Sequence, residues 1–313
     1  MRNIVSQSAG LAATCMFWGC ILIGCSQSEN DNSELLAYEA EIEQWRAQRL
    51  EALKGPDGYL NLAGLYWLDE GASSLGSTAD NTIVLPPKAA PRVGELATTA
   101  EGVIMLTEPG VDVRFDGIPV RSIMIADDTT EHPVTITHGS LAWSVIKRSG
   151  RYALRLRDYE HPAITGFPPL QYYPVDPGLR ISARLERYAE PKVMNVDTVI
   201  EGLGWRPESP GVVVFDIDGQ EFRLEAYASG EELFLVFGDQ TSGHETYPAG
   251  RFLYADFPAD GETTTLDFNY AYNPPCAFND FATCPVASPQ NRLATTIAAG
   301  EKFDPNVHHA PGI

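Results

Sequence analysis

From Thr82 to Arg157 the sequence is a succession of short runs rich in β-branched and aromatic residues, each cut off by a pair suited to a turn. The runs are 82–85, 102–106, 111–115, 122–126, 134–138, 141–147 and 152–157, and the breaks include Pro109-Gly110, Asp116-Gly117, His138-Gly139 and Ser149-Gly150. Runs this short do not make ordinary helices, and their spacing predicts a β-sandwich. Residues 58–68 (GYLNLAGLYWL) read as a further strand ahead of them.

The chain outside this region divides by composition. Residues 34–54 place Leu35, Tyr38, Ile42, Trp45 and Leu53 at spacings near three and four with acids facing away, which predicts a helix that Gly55-Pro56 ends. Prolines at 162, 168, 169, 174 and 177 mark 159–178 as a linker, after which a second β-rich domain, barrel- or sandwich-like, runs over 179–303 and leaves a tail at 304–313. Within it 180–187 and 232–237 read as strands, 212–216 and 220–226 as a hairpin around Asp218-Gly219, and 293–298 as a last strand. The sandwich is assigned 55–158. The fold class is thus mainly β behind one N-terminal helix.

The first residues read as a targeting segment. Arg2 gives a positive start, residues 11–23 are mostly apolar, and Leu22-Ile23-Gly24-Cys25 looks like a bacterial lipobox. That likeness implies a signal peptide over 1–24, acylation of Cys25 and a polar tether over 25–33, with Ser26 resembling the Gram-negative pattern for the outer membrane. The alternative is an ordinary signal peptide or an uncleaved anchor. The expected partner is the lipid bilayer, and the expected location is the periplasmic face of the outer membrane. A net charge of −20 repels a phosphate backbone, so nucleic acid is not an expected partner.

Removal of the signal and acylation of Cys25 leave Cys276 and Cys284. In an oxidising compartment the pair reads as a disulfide, which by loop entropy stabilises the fold by about 2.5 kcal/mol. Free thiols and a two-cysteine zinc site are the alternatives. No histidine lies between Asp267 and Arg292 and the spacing matches no common zinc module, which counts against the metal; no cofactor is expected.

Two late stretches concentrate polar groups. Residues 237–257 carry Asp239, Thr241, Ser242, His244, Glu245, Tyr247 and Arg251, and residues 267–292 carry Asp267, Asn269, Tyr272, Asn273 and Asn291 among aromatic residues and prolines. Asp239 and Arg251 suit a bidentate pair. If the two stretches face one hollow, Asp239, Thr241, Tyr247, Arg251, Asp267, Asn269, Tyr272, Asn273 and Asn291 would bind a small polar ligand. Asp239, Asp267 and Tyr247 are the candidates for acid-base chemistry. The competing reading is a buried network that specifies the loop fold. Glu301 and Lys302 read as an exposed ion pair. No GxSxG, HExxH, P-loop or GxGxxG motif is present.

Two resemblances add to this. Leu75-Gly76-Ser77, residues 82–85 and Asp116-Gly117 resemble a forkhead-associated sandwich, which implies the fold; Ser77 stands where the phosphothreonine readers carry arginine, and Arg92-Val93-Gly94-Glu95 offers no matching serine or histidine. The runs FGDQTSGHETYPAGRF, DFNYAYNPPCAF, TCP, PQNRL and AGEK, together with WR and GYLNLAGLYWLDEG, are similar to the family of domain of unknown function 1684. That resemblance implies no activity, substrate or cofactor. Family members without export signals keep the two cysteines, which implies that a disulfide was not their original reason. The resulting expectation is an envelope lipoprotein that recognises a small polar ligand or an envelope partner through its C-terminal domain. A hydrolase or isomerase using paired carboxylates, and a structural envelope protein without a pocket, are the alternatives.

Overall fold

The computed structural model describes residues 23–308. The expected signal peptide up to residue 22 and tail residues 309–313 lie outside the described residues. A first unit reaches Glu43 and a second begins at Gln44. Helix α1 (Ile23–Lys54) starts earlier than expected, so the stretch read as a tether is helical. Leu35 is exposed whereas Leu53 is buried. The helix stops where Gly55 donates its N–H to the Glu51 carbonyl.

The protein is mainly β. The first β part contains β1 (Leu62–Leu68), β2 (Gly71–Gly76), β3 (Ile83–Val84), β4 (Gly94–Thr99), β5 (Gly102–Thr107), β6 (Arg114–Phe115), β7 (Ile118–Pro119), β8 (Ser122–Ile125), β9 (Thr135–His138), β10 (Leu141–Arg148) and β11 (Arg151–Asp158). They form one sheet in the order β1-β11-β10-β9-β6-β7 and another in the order β3-β2-β4-β5-β8. Leu75, Leu96, Val103, Met105, Trp143 and Leu154 fill the space between them. Burial of such side chains contributes roughly 1.5–3 kcal/mol each. The first sheet is partly covered on its other face: Ala142, Ile146 and Ala153 are buried there, outside the sandwich core, whereas Ser144, Arg155 and Arg157 keep some exposure. At its end Arg148 Nε donates to Thr283 Oγ1 at 3.4 Å and Ser149 Oγ to the Gly204 carbonyl at 3.0 Å, so the two β parts meet within one unit.

A short helix α2 (Pro162–Gly166) crosses to the second part. Its N-cap is the buried His161, whose Nδ1 accepts from Ala163 N at 3.2 Å. Burial holds the His161 imidazole below its ordinary value, with Lys88 acting the same way and Asp158 opposing them. The folded state therefore favours the neutral ring, and the unfolded chain takes up the proton first as pH falls. The contribution is complete above the unfolded value of about 6.5 and is lost as pH drops through the lower folded value. The melting temperature is expected to fall on acidification below neutrality, and His161→Asn, which keeps a cap acceptor, is expected to flatten that slope. An equal slope in the variant would remove His161 from the account.

The second part holds β12 (Arg180–Val193), β13 (Val196–Asp197), β14 (Gly204–Trp205), β15 (Glu208–Ile217), β16 (Gln220–Ser229), β17 (Glu232–Phe237), β18 (Arg251–Asp256) and β19 (Thr263–Asp267). Six of them make a nearly closed, barrel-like sheet in the order β18-β17-β16-β15-β12-β19 around Leu224, Leu235, Leu253, Leu266 and Phe268. The β15–β16 hairpin turns at Asp218-Gly219 with φ of 54° and 81°, the backbone that such a two-residue loop requires.

The expected strand over 293–298 does not form. Its main chain instead runs beside the turn after β17, with Leu293 N donating to the Gly238 carbonyl at 2.8 Å and Gln240 N to the Thr295 carbonyl at 3.0 Å. Among the strands not foreseen are β2 (GASSLG) and β4 (GELATT), both built largely from small residues.

Candidate functional site

Of the nine candidates in the two late stretches, Asp239, Thr241, Arg251, Asp267, Asn269, Asn273 and Asn291 are buried and Tyr247 and Tyr272 are partly buried, whereas the neighbouring His244 and Glu245 are exposed. Arg251 opens β18 with its side chain 1% exposed, facing an Asp239 side chain that is 0% exposed. Its Nη2 donates to Asp239 Oδ2 at 2.6 Å and to the Ile297 carbonyl at 2.9 Å, and its Nη1 donates to the Ala299 carbonyl. Asp239 Oδ1 accepts from Thr241 N at 2.6 Å, and the Thr241 and Thr246 hydroxyls lie 2.8 Å apart. Burial pulls the Arg251 guanidinium below its ordinary value, and the Asp239 carboxylate opposes the shift. Gly250 places this arginine: at φ 110° an added Cβ would lie 2.7 Å from the Phe237 carbonyl oxygen and 2.8 Å from Ala287.

Asp267 belongs to a different network. Its Oδ1 accepts from Asn269 N at 3.1 Å and Nδ2 at 3.0 Å, capping the turn that follows β19. Arg180 Nε lies 3.8 Å from Oδ2. Asn269 in turn donates to the Asp176 carbonyl at 2.8 Å and accepts from Asp176 N at 2.9 Å, which pins the end of the proline-rich crossover. Asn291 satisfies three main-chain groups at once: Glu225 N at 2.8 Å, the Glu225 carbonyl at 3.0 Å and the Val236 carbonyl at 2.9 Å. Tyr247 donates to the Cys276 carbonyl at 3.1 Å. Cys276 is disulfide-paired with Cys284, their Cα atoms 6.2 Å apart.

The third network was missed. Glu301 is fully buried rather than exposed. Its Oε1 accepts from Arg49 Nε at 3.0 Å and the Tyr172 hydroxyl at 3.4 Å, and its Oε2 accepts from Asn273 N at 2.7 Å. Arg49 also donates to the Asn273 carbonyl at 2.9 Å and lies over the Tyr272 ring, 4.6 Å from its centroid. Asn273 Nδ2 donates to the Lys302 carbonyl at 3.0 Å. Desolvation works against the charge on Arg49, but Glu301 outweighs it and the guanidinium is held above its ordinary value. Burial raises the Tyr172 and Tyr272 phenols far above the usual range. Lys302, the expected partner of Glu301, pairs with Glu245 at 3.0 Å instead. One signal was available: Arg49 falls midway between Trp45 and Leu53 at spacings of four, a cation on the apolar stripe.

The structure thus joins Asp239 with Arg251 and Thr241, Asp267 with Asn269, and Tyr272 with Asn273. It does not gather the nine candidates around a hollow. Neither the surface concavity at Ser182–Arg184, Val214–Asp216, Glu221 and Thr263 nor the one along 197–204 is lined by any of them. Among the described residues no group of three His, Cys, Asp or Glu side chains suits a metal ion, and no helix is long and apolar enough to cross a membrane.

A mainly β protein whose barrel-like part is closed by buried ion pairs and asparagine bridges is the class that fold and site define. Residues 165–302 match the family model described as Protein of unknown function (DUF1684). Among solved structures, the chain is similar to an uncharacterized protein of Haloarcula marismortui, determined by solution NMR, at 31% identity over 45% of this chain and 79% of that one, with a TM-score of 0.38. It is also similar to the cytoplasmic domain of the T3SS sorting platform protein PscD from P. aeruginosa, at 21% identity over 36% of this chain and 94% of that one, with a TM-score of 0.21. No curated protein matches it.

Proposed function

We propose that the chain is a cell-envelope lipoprotein, held on the periplasmic face of the outer membrane by acylated Cys25, whose DUF1684 region acts by presenting a rigid surface to an envelope partner. One observation carries the non-catalytic part of this reading. Both oxygens of Asp239 are hydrogen-bonded within the protein and its side chain is closed to solvent, so the carboxylate is in no position to take a proton from a substrate. Ligand binding through the nine late residues, or hydrolysis by paired acids, would first have to break this packing. The forkhead-associated likeness of the first β part enters at the level of architecture alone: Ser77 N donates to the Ala90 carbonyl, and Arg92 lies at the surface beside Glu95 and Glu108. These groups make no phosphate cradle.

The lipid anchor rests on the lipobox-like residues and is tested directly. Cells expressing the full chain and fed a tagged fatty acid are expected to label it and to hold it in the membrane fraction, and Cys25→Ala is expected to lose both properties. Label that persists in the variant, or is absent from the parent, would sink the anchor.

A further inference from the structure

Arg155 stands out because, among the described residues, no hydrogen bond or ion pair answers its charge. It lies on β11 facing away from the sandwich core, directly between Leu65 on β1 and Ser144 on β10. The side chain is half-buried, its Nε is enclosed with no acceptor, and no hydrogen bond or ion pair to its guanidinium is present among the described residues. The neighbouring arginines on the same sheet are all occupied. Arg148 holds Asp128 through both carboxylate oxygens, at 2.6 and 3.0 Å. Arg157 donates to Asn61 Oδ1 at 2.6 Å and to the Gly58 carbonyl. Arg151 lies over the Trp67 ring, 4.5 Å from its centroid. The carboxylate that acts on Arg155 most is Asp128, which Arg148 already holds.

A guanidinium taken partly out of water without a counter-charge is costly. An oxyanion can complete such a group, since the planar fork of N–H donors matches carboxylate and phosphate bidentately. The surroundings suit that task. The Ser144 hydroxyl sits beside Arg155 in strand register and makes no hydrogen bond among the described residues, and Tyr59 lies close enough for its phenol to act on the Arg155 charge. In a chain of net charge −20 this is a local concentration of positive charge on one sheet face. Desolvation, assisted by Arg148, holds the Arg155 guanidinium down at about 10, as expected for a cation that lacks its anion.

We propose that the outer face of the first sheet, at Arg155 with Ser144 and Tyr59, is a binding site for a small oxyanion, a carboxylate or a phosphate group. It lies outside the region matched by the family model and shares no residue with the three buried networks of the C-terminal part.

The test uses the full chain in detergent, melted with increasing inorganic phosphate or acetate against sodium chloride at matched ionic strength. The parent is expected to show a saturable rise in melting temperature with at least one of the two anions beyond that with chloride. Arg155→Gln is expected to weaken that anion by roughly tenfold or more, given a loss of about 1.5–3 kcal/mol for charge-assisted hydrogen bonds, while Arg151→Gln keeps it. A response to phosphate alone assigns a phosphoryl ligand, and a response to acetate alone assigns a carboxylate. In chloride alone Arg155→Met is expected to melt at or above the parent, because it removes an unanswered charge. No response beyond chloride in the parent, a response undiminished in Arg155→Gln, or an Arg155→Met protein that melts well below the parent in chloride would each overturn the proposal.

Discussion

Arg251→Ala is expected to lower the unfolding free energy by about 3–5 kcal/mol, the range for removing one partner of a buried ion pair. The substitution leaves the Asp239 carboxylate closed from water without its cation, and it strips the Ile297 and Ala299 carbonyls of their donor. Much of the loss is the cost of the stranded acid rather than the net worth of the pair. Arg251→Met combined with Asp239→Leu is therefore expected to be less damaging than Arg251→Ala alone, by 1 kcal/mol or more on the order of a buried group's desolvation. Denaturant unfolding followed by far-UV circular dichroism measures both. A single variant that loses less than about 1 kcal/mol would show a pair that water reaches, as at exposed sites, and would reopen the reading of this region as a ligand site.

Glu301→Ala is expected to cost a similar amount, again about 3–5 kcal/mol, through different groups. Arg49 loses its carboxylate, Asn273 N loses its acceptor and the Tyr172 hydroxyl loses its own. Glu301→Gln keeps an acceptor for Asn273 N but not the charge, so it is expected to fall between Glu301→Ala and the parent. Since Arg49 lies on the last turns of α1, amide exchange over 44–54 is expected to quicken in Glu301→Ala at denaturant concentrations where the sheets still hold. Unchanged exchange there would mean that the aromatic contacts of Trp45 with Tyr172 and Tyr270, not the ion pair, hold this part of the helix.

Local chemistry made much of the fold readable. Strand β17 was read at its observed bounds and the β15–β16 turn at its two positive-φ residues, because a short apolar run and an Asp-Gly pair act over a few residues. Strands β2 and β4 escaped for the converse reason: GASSLG and GELATT carry little β-branched signal, and it is their neighbours in the sheet that make them strands. In the polar region the Asp239–Arg251 pair was legible from its turn-rich setting, but whether it was open or closed was not. Closure comes from the carbonyls of 297 and 299, in a stretch whose Leu and Ile suggested a strand. Glu301 was misread because its sequence neighbour is a lysine, whereas its actual partner, Arg49, lies 252 positions away.

The segment from Ile297 to Glu301 completes the partners of Arg251 and Arg49, yet it is made after every strand of the described residues. A chain emerging during synthesis would own all its strands once Asp267 had appeared, and would still lack the two carbonyls that Arg251 binds beside Asp239 and the carboxylate that receives Arg49. Completion of the polar interior is thus timed to the arrival of one short, strandless stretch, and a truncation upstream of it would yield a sheet that assembles but does not lock.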